Sequence, residues 1–320
     1  MNKLKLVILD GATLNPGDLS WEDFEKYADV TIYKRSDSDQ IIQRCNNADA
    51  VIINKVIFDE SLIKSLPKLR YIGVTATGYN IVDIKAAQKY GVTVTNIPAY
   101  ATMSVAQTVF AHILQFTHNI ALHADSVRHG EWTKSLDFCY QKQSLIELAE
   151  LNLGIIGFGN SGKAVAKIAQ SFGMNVLIYA RKAEKIFGNI KQVALNELFT
   201  NSDFITLHCP LNTDSNQIIN KNSLKLMRNT AYLINTGRGG LINEEDLALA
   251  LNNEQIAGAG LDVLSFEPPL ANNPLLKAKN CNITPHIAWA SYAARKRAMD
   301  ITLNNFISFL EANVKNQVTI

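Results

Sequence analysis

The sequence has few cysteines and no excess of charge of either sign. Its four cysteines, at positions 45, 139, 209 and 281, show no CxxC or zinc-ligand spacing and are too sparse for a disulfide scaffold. Lys and Arg together number 31 and Asp and Glu 29, so the formal net charge is only +2. Proteins that bind nucleic acid or membrane surfaces need a basic excess on one face, so this balance argues against both partners.

Long apolar runs are missing as well. No stretch approaches the ~18–20 apolar residues that cross a bilayer, and the run Leu6–Leu9 is too short for a signal peptide. We therefore expect a cytoplasmic protein without a membrane partner. Apolar residues still make up 47% of the 320 residues, which is enough to form the cores of two domains of roughly 100–200 residues each.

Short apolar runs alternate with segments of helical period along nearly the whole chain, a pattern typical of parallel βαβ units. A long periodic segment, 102–124, predicts one continuous helix that leads into a second domain. In the first hundred residues the predicted strands are Leu4–Leu9, Val30–Tyr33, Ala50–Ile53, Tyr71–Val74 and Val92–Thr95, and the predicted helices are Trp21–Tyr27, Ile41–Cys45, Ser61–Leu66 and Ile84–Tyr90.

A second series of strands and helices begins at Leu153, and the stretch 290–310 is again helical. The sequence therefore predicts an α/β protein of two doubly wound parallel-sheet domains with a cleft between them. The predicted strands of the second series are Leu153–Gly157, Val176–Tyr179, Phe204–Leu207, Tyr232–Asn235, Ala259–Asp262 and Asn282–Thr284.

The segment from Gly157 to Gly162 contains the pattern GxGxxG, with the middle glycine at 159. The pattern alone is weak, but a predicted strand precedes it and apolar residues at helical spacing follow it, which is the context of a dinucleotide-binding turn. The glycines permit the tight turn, the approach of a pyrophosphate and close packing, and the helix N-terminus offers free N–H groups to the phosphates. We expect Asn160 and Ser161 in this turn to bind the cofactor too. An ordinary strand-to-helix turn is the alternative.

The residues after the second strand of this series bear on the choice of dinucleotide. Sites that prefer NAD usually carry an acid there for the ribose 2′-hydroxyl. Here Arg181 and Lys182 follow Tyr179 and Ala180, and an Arg can bind a 2′-phosphate with two parallel hydrogen bonds. This favours NADP(H) over NAD(H) in an NAD(P)(H) site. The alternative is a solvated turn, with Glu184 at the ribose.

Three later strands end in polar residues. Arg238 lies in the turn Thr236–Gly240, Glu267 and Asp262 follow the next strand, and His286 follows the last. Parallel strands end at one edge of a sheet, which is also the edge of the glycine turn, so these side chains are expected to converge on one crevice. Arg can bind a carboxylate and polarise a carbonyl, and a His beside a Glu can protonate a developing alkoxide. The set is suited to reducing a keto acid beside a nicotinamide.

These motifs resemble the D-isomer-specific 2-hydroxyacid dehydrogenase family, from residue 50 to the C-terminus. The segment Gly130–Trp132 with Asp137–Tyr140 is similar to the glycerate dehydrogenase (hydroxypyruvate reductase) branch. The resemblance rests on Asn235–Gly239 (NTGRG), Asp262–Val263 with Glu267–Pro268, Thr284–Trp289 (TPHIAW), Gly73–Asp83 (GVTATGYNIVD) and Asn96–Gln107 (NIPAYATMSVAQ).

The resemblance implies hydride transfer between NAD(P)H and a small 2-oxo acid, such as hydroxypyruvate or glyoxylate, to give a D-2-hydroxy acid. It implies a flavodoxin-like substrate domain of residues 1–100 plus 290–320, a Rossmann cofactor domain of residues 101–289, and a homodimer. Two departures from the family are the missing acid after the second strand and Ser161, where the family usually has an aliphatic residue.

Individual roles are implied by matching positions. His286 corresponds to the acid/base, Glu267 to its carboxylate partner, Arg238 to the cation that orients the substrate, and Asp262 to the residue that binds the nicotinamide carboxamide. Cys209, Pro210 and Thr236 match positions that line the cofactor, and the backbone of Thr75, Ala76, Thr77 and Gly78 matches the loop that holds the substrate carboxylate.

Each candidate also has a plainer interpretation. Arg238 could be a surface cation, Glu267 a solvated acid and His286 a packed histidine. No cluster has metal-ligand spacing, and the acids at 244–246 are interpreted as the first turn of a helix capped by Asn243.

The other aromatic and histidine residues leave further alternatives. Trp132, Phe138 and Tyr140 either shape the substrate pocket or pack in an interface. His112 and His118 are expected to be structural, and His208 to border the cofactor.

Two alternatives to the function remain. The same chemistry could act on another D-2-hydroxy acid, such as D-lactate or a phosphorylated acid. The chain could instead be a dinucleotide-sensing module, but an intact Arg–Glu–His set argues against it, because sensing needs no proton donor.

Overall fold

The computed structural model describes residues 3–182, 184 and 188–319. The chain divides into two compact units, Met1–Ala101 with Ala290–Ile320 and Thr102–Trp289. Each unit contains one sheet whose paired strands all run parallel, with helices in the connections. The predicted α/β class is confirmed. No helix in the part of the chain that the structure describes is long and apolar enough to cross a membrane.

The first unit has a five-stranded sheet in the order β2-β1-β3-β4-β5, which is the flavodoxin-like order. Its strands are β1 (Leu4–Ile8), β2 (Ala28–Ile32), β3 (Ala50–Ile53), β4 (Tyr71–Val74) and β5 (Thr93–Thr95). Every residue of β3 and β4 is buried, as expected for central strands covered on both faces. The continuous apolar runs at these strands explain why the predicted and observed bounds coincide there.

The helices of the first unit are α1 (Glu22–Glu25), α2 (Ile41–Cys45), α3 (Glu60–Ser65), α4 (Ile84–Lys89) and, from the end of the chain, α11 (Tyr292–Leu310). Asp59 and Asp83 cap α3 and α4, since each carboxylate accepts a backbone N–H of the first turn. Phe306 of α11 is fully buried, with its ring 5.6 Å from that of Tyr71 on β4.

The second unit has a seven-stranded sheet in the order β12-β11-β10-β9-β6-β7-β8, in which the chain reverses direction across the sheet at β6 and β9, as in a Rossmann fold. Its strands are β6 (Asn152–Ile156), β7 (Asn175–Tyr179), β8 (Ile190–Gln192), β9 (Phe204–Leu207), β10 (Tyr232–Asn235), β11 (Gly258–Leu261) and β12 (Cys281–Ile283). The sequence pattern did not predict the edge strand β8, because this strand has only three residues and none of them is fully buried.

The helices of the second unit are α5 (Thr102–Thr117), α6 (Ile120–Arg128), α7 (Asn160–Ser171), α8 (Leu195–Asn201), α9 (Lys221–Leu226) and α10 (Glu244–Asn252). The prediction of one continuous helix over 102–124 was wrong. Asn119 adopts a left-handed conformation, with φ of 42°, and its side chain accepts the N–H of Leu122 as the N-cap of α6. Asn tolerates this conformation better than most residues, so the chain turns there.

Candidate active site

The glycine turn joins β6 to α7 and lies where the strand order of the second unit reverses. Gly157 has φ of +95°, and a Cβ there would collide with the backbone at His208 and Cys209. A Cβ on Gly162 would collide with the Gly157 carbonyl, whereas Gly159 faces open space. Asn160 and Ser161 are the first residues of α7. The turn therefore has no room for a side chain at Gly157 or Gly162, and it is open at Gly159, where the pyrophosphate of a dinucleotide would approach.

Two neighbouring strand ends complete this edge. Cys209 and the exposed Pro210 follow β9, and burial raises the pKa of the Cys209 thiol. Thr236 follows β10 and is buried, and its Oγ1 is the only buried side-chain polar atom of the described residues without a hydrogen-bond partner. An unpaired buried hydroxyl is costly, which indicates a place for a polar ligand group.

Charged side chains surround the end of β7. Arg181 Nη1 lies 4.0 Å from Asp214 Oδ2, and both side chains are exposed. The Lys182 side chain is exposed too. The Glu184 carboxylate lies 3.1 Å from Nζ of Lys163 in the first turn of α7, so this acid is paired with a cation. Both the cations and the acid considered in the sequence analysis are therefore present near this strand end.

The turn that carries Arg238 is fixed by its neighbours. The buried side chain of Asn235 accepts the Gly237 N–H at 3.0 Å and donates to the Arg238 carbonyl at 2.9 Å. A Cβ at Gly239 would collide with the backbone at Leu264, so the turn packs directly against the segment that leads to Glu267. The Arg238 side chain is exposed, and its Nη1 donates to the Gly237 carbonyl at 2.8 Å.

His286 and Glu267 form a close pair. The distance from His286 Nδ1 to Glu267 Oε2 is 2.6 Å, and the two side chains are 28% and 32% exposed. The other carboxylate oxygen, Oε1, accepts the Leu264 N–H at 3.1 Å. Because Nδ1 faces the carboxylate, Nε2 is the nitrogen left to exchange a proton with a substrate.

Asp262 holds the loop on which His286 lies. Its Oδ1 accepts the Thr284 hydroxyl at 2.6 Å and the Ile287 N–H at 2.9 Å, and its Oδ2 accepts the Ala288 N–H at 2.7 Å. The residue is only 1% exposed. These contacts are all to the protein, and the bond from Asp262 to a nicotinamide carboxamide stays a prediction.

In the first unit, residues 75–78 follow β4 at the carboxyl edge of the sheet. Asn54 Nδ2 donates to both the carbonyl and the hydroxyl of the buried Thr75, at 3.0 and 2.9 Å. The Ala76 and Thr77 carbonyls accept the Ile97 N–H and the Asn96 side-chain amide. Within the described residues, no acceptor binds the N–H groups of Ala76, Thr77 or Gly78. Successive free N–H groups of this kind can bind an anion.

Three of the other histidines make separate contacts within the second unit. His208 lies beside Cys209, and its Nε2 is 2.9 Å from the Thr206 hydroxyl. Burial lowers the pKa of His208 to about 4, so the ring is neutral at pH 7. His118 contacts the Thr117 hydroxyl, and His123 accepts the Lys142 N–H. Among residues 3–182, 184 and 188–319, no three His, Cys, Asp or Glu side chains form a group that could hold a metal.

Comparison with known proteins identifies the family. The model of the D-isomer specific 2-hydroxyacid dehydrogenase NAD binding domain matches residues 110–288. Hydroxypyruvate reductase from Blautia hydrogenotrophica is 44% identical over 320 residues, which cover 98% of this chain and 99% of that protein. The chain belongs to the D-isomer-specific 2-hydroxyacid dehydrogenase family.

Two further relatives agree with this assignment. Glycerate dehydrogenase from Methylorubrum extorquens is 40% identical over 282 residues, which cover 88% of each chain. The structure of an acyclic imino acid reductase in complex with NADPH and D-Arg superposes with a TM-score of 0.85 at 31% identity, covering 99% of this chain and 100% of that one. The family's nicotinamide dinucleotide fits the residues described above, since the glycine turn is open at Gly159 and Thr236 has an unpaired buried hydroxyl.

Several residues that support the candidate site were not assigned to it from the sequence. Ser104 on α5 donates to the Ala288 carbonyl, and Glu244 accepts the Ser265 N–H and the Asn273 side-chain amide. Asn243 caps α10 as predicted, since its side chain accepts the Asp246 N–H. The contacts of Glu244 add a role that its place in the first helical turn did not indicate.

Proposed function

We propose that this dehydrogenase transfers a hydride between NAD(P)H and a small 2-oxo acid, with hydroxypyruvate and glyoxylate as its substrates. The observation that carries the proposal is the 2.6 Å contact between His286 and Glu267. The turn that carries Arg238 packs against Leu264, in the segment that leads to Glu267. All three residues follow strands of the sheet whose β6 leads into the glycine turn. The relatives named hydroxypyruvate reductase and glycerate dehydrogenase support the choice of substrate.

The residues divide the chemistry among them. A bound nicotinamide would supply the hydride, and the side chains of this chain would do the rest. Arg238 binds the substrate and polarises its carbonyl oxygen, and His286 gives that oxygen a proton through Nε2 as negative charge develops there. Glu267 holds Nδ1 of His286 at 2.6 Å, and this contact orients Nε2 away from the carboxylate. The reverse reaction uses the same groups, with His286 as the base.

We propose that the first unit supplies the substrate carboxylate site and the second unit binds the dinucleotide. The free N–H groups of residues 76–78 suit a carboxylate, and the Asn54 bonds to Thr75 keep the loop in place. In the second unit, the dinucleotide would lie on Gly157, Gly159, Asn160, Ser161 and Gly162, with Cys209, Pro210, Thr236 and Asp262 beside it.

NADP(H) is the proposed dinucleotide. Arg181 and Lys182 are exposed after β7, where the 2′-phosphate would lie, and Glu184 is paired with Lys163 rather than free for a ribose hydroxyl. The related imino acid reductase, 31% identical, was solved with NADPH.

A homodimer and a cytoplasmic location are also proposed. The segment 132–140 and helix α6 expose Leu136, Phe138, Trp132 and Ile120, with Leu136 fully exposed and Phe138 89% exposed. Such clustered apolar exposure suits contact with a second copy of the chain. The four cysteines are all free thiols, which suits a reducing compartment.

The test is oxidation of NADPH and NADH, followed by absorbance, with hydroxypyruvate and glyoxylate as acceptors. We expect turnover with both acids and a lower KM for NADPH. Arg181→Gln should raise the KM for NADPH about tenfold or more and leave that for NADH unchanged, because a charge-assisted bond to phosphate contributes about 1.5–3 kcal/mol. Arg228→Gln is the matched control, since it removes an Arg that pairs with Asp203 and has no proposed role at the phosphate. No turnover with either acid would refute the function, and equal effects of Arg181→Gln on both cofactors would refute the phosphate role.

A further inference from the structure

Helix α5 contacts both ends of the loop that carries His286. Ser104, in its first turn, donates its hydroxyl to the Ala288 carbonyl at 2.6 Å. Two turns further along the helix, His112 Nε2 lies 3.4 Å from the Thr284 hydroxyl. The segment between these contacts is 284–288, with His286 at its centre.

The contact at His112 belongs to a buried chain of polar groups. Thr284 Oγ1 donates its single hydrogen to Asp262 Oδ1 at 2.6 Å, so it can only accept from His112. His112 must therefore carry its hydrogen on Nε2. Burial lowers the pKa of His112, while the negative charge of Asp262 acts in the opposite direction, so the ring is neutral near pH 7. The chain runs from His112 through Thr284 to Asp262, and from there to the Ile287 and Ala288 amides.

The imidazole of His112 is closely enclosed. The residue is 5% exposed, and a Cβ added to Gly260 on β11 would lie only 2.8 Å from its Cβ, Cγ and Nδ1 atoms. The glycine on β11 thus leaves the space that the ring occupies. A buried imidazole costs free energy unless it is hydrogen-bonded, so a purely space-filling role would be served better by an aliphatic side chain.

His286 depends on such support because its own backbone is unfavourable. Its φ is +54°, a conformation that costs a non-glycine residue free energy and persists only where the surroundings hold it. Three hydrogen bonds hold this backbone. The His286 N–H donates to the Thr284 carbonyl at 2.9 Å, and the N–H groups of the next two residues, Ile287 and Ala288, donate to the Asp262 carboxylate.

We propose that His112 is a positioning residue for the reaction: through Thr284 it orients the Asp262 carboxylate and so keeps the His286 imidazole aligned for proton transfer. This proposal rests on the proposed function, in which His286 is the acid/base. His112 touches neither substrate nor cofactor in this scheme and acts only through the loop.

The experiment compares His112→Leu, Thr284→Val and the double variant with wild type in steady-state reduction of hydroxypyruvate. Each single variant should lower kcat about three- to tenfold, the effect of losing one buried hydrogen bond at the transition state. The double variant should be no slower than Thr284→Val, because both changes break one chain. His112→Gln, which can donate to Thr284, should recover kcat to within about twofold of wild type.

The control is Val109→Ala on the same helix, a fully buried residue of the apolar core. It should lower the thermal midpoint without changing kcat. The proposal is overturned if His112→Leu keeps the wild-type kcat, if the single effects simply add, or if His112→Gln does not recover activity.

A second readout separates this proposal from the proposed function. Wild-type protein without turnover would refute the function, and the His286 ring resonances in nitrogen-15-labelled protein would then decide the positioning. They should move in His112→Leu and stay in place in Val109→Ala. Unmoved His286 resonances in His112→Leu would overturn the positioning role.

Discussion

Replacing Glu267 with Gln is the most informative single change to the site. The substitution keeps the size of the side chain and removes its charge. The Gln oxygen can still accept the Leu264 N–H, which Glu267 Oε1 accepts at 3.1 Å. Its NH2 group then faces His286 Nδ1, where the 2.6 Å contact of the wild type requires an acceptor. An N–H at Nδ1 of His286 therefore loses its acceptor in the variant.

The size of the effect follows from the geometry of the pair. A hydrogen bond to a charged group contributes about 1.5–3 kcal/mol. Each 1.36 kcal/mol corresponds to a factor of ten in rate, so the full bond corresponds to roughly 12- to 160-fold. The two side chains are 28% and 32% exposed, and water moderates the interaction. We expect kcat/KM for hydroxypyruvate to fall about 10- to 100-fold.

The assay is steady-state oxidation of NADPH, with Glu244→Gln as the matched control. Glu244 holds the same loop through the Ser265 N–H and the Asn273 amide but does not contact His286. Glu244→Gln should lower the thermal midpoint, and it should lower kcat/KM much less than Glu267→Gln does. The reasoning is refuted if Glu267→Gln stays within threefold of wild type, or if Glu244→Gln loses as much activity.

Three further outcomes test other parts of the account. Gly157→Ala should weaken NADPH binding at least about tenfold in a fluorescence titration, because the new Cβ meets the Cys209 backbone and φ is +95°; unchanged affinity would contradict the glycine-turn assignment. Asn54→Leu should raise the KM for the 2-oxo acid about tenfold, because the Thr75 loop loses two bonds, and an unchanged KM would contradict the carboxylate site. The free energy of unfolding should fall by up to roughly 3 kcal/mol as pH drops from 6.5 to about 4, because the unfolded state then binds a proton that folded His208 does not. In urea titrations, His208→Gln should reduce this dependence of the unfolding free energy on pH, and the same pH dependence in the variant as in wild type would contradict the assignment to His208.

Much of the fold could be predicted from local patterns. The central strands β3, β4, β9 and β10 are short, mostly apolar runs in which every residue except Tyr232 is buried, and their predicted bounds were correct. The break between α5 and α6 was missed because apolar periodicity continues across Asn119, while the left-handed backbone there is set by a single residue.

The candidate site was predictable where topology alone was needed. Arg238, Glu267 and His286 follow three adjacent parallel strands, and such strands end at one edge. The supporting residues could not be predicted in this way. His112 and Thr284 are 172 positions apart, and Ser104 and Ala288 are 184 apart, so their contacts depend on how α5 packs on the sheet. No periodicity or spacing in the sequence reports such a contact.

The most direct test of the central claim is the fate of a hydride label. NADPH dideuterated at C4 of the nicotinamide is incubated with hydroxypyruvate, and the product is analysed by mass spectrometry and chiral chromatography. We expect D-glycerate with one deuterium at C2, formed by wild type and largely lost in His286→Ala. Product without deuterium, the L isomer, or full activity in His286→Ala would contradict hydride transfer with His286 as the acid.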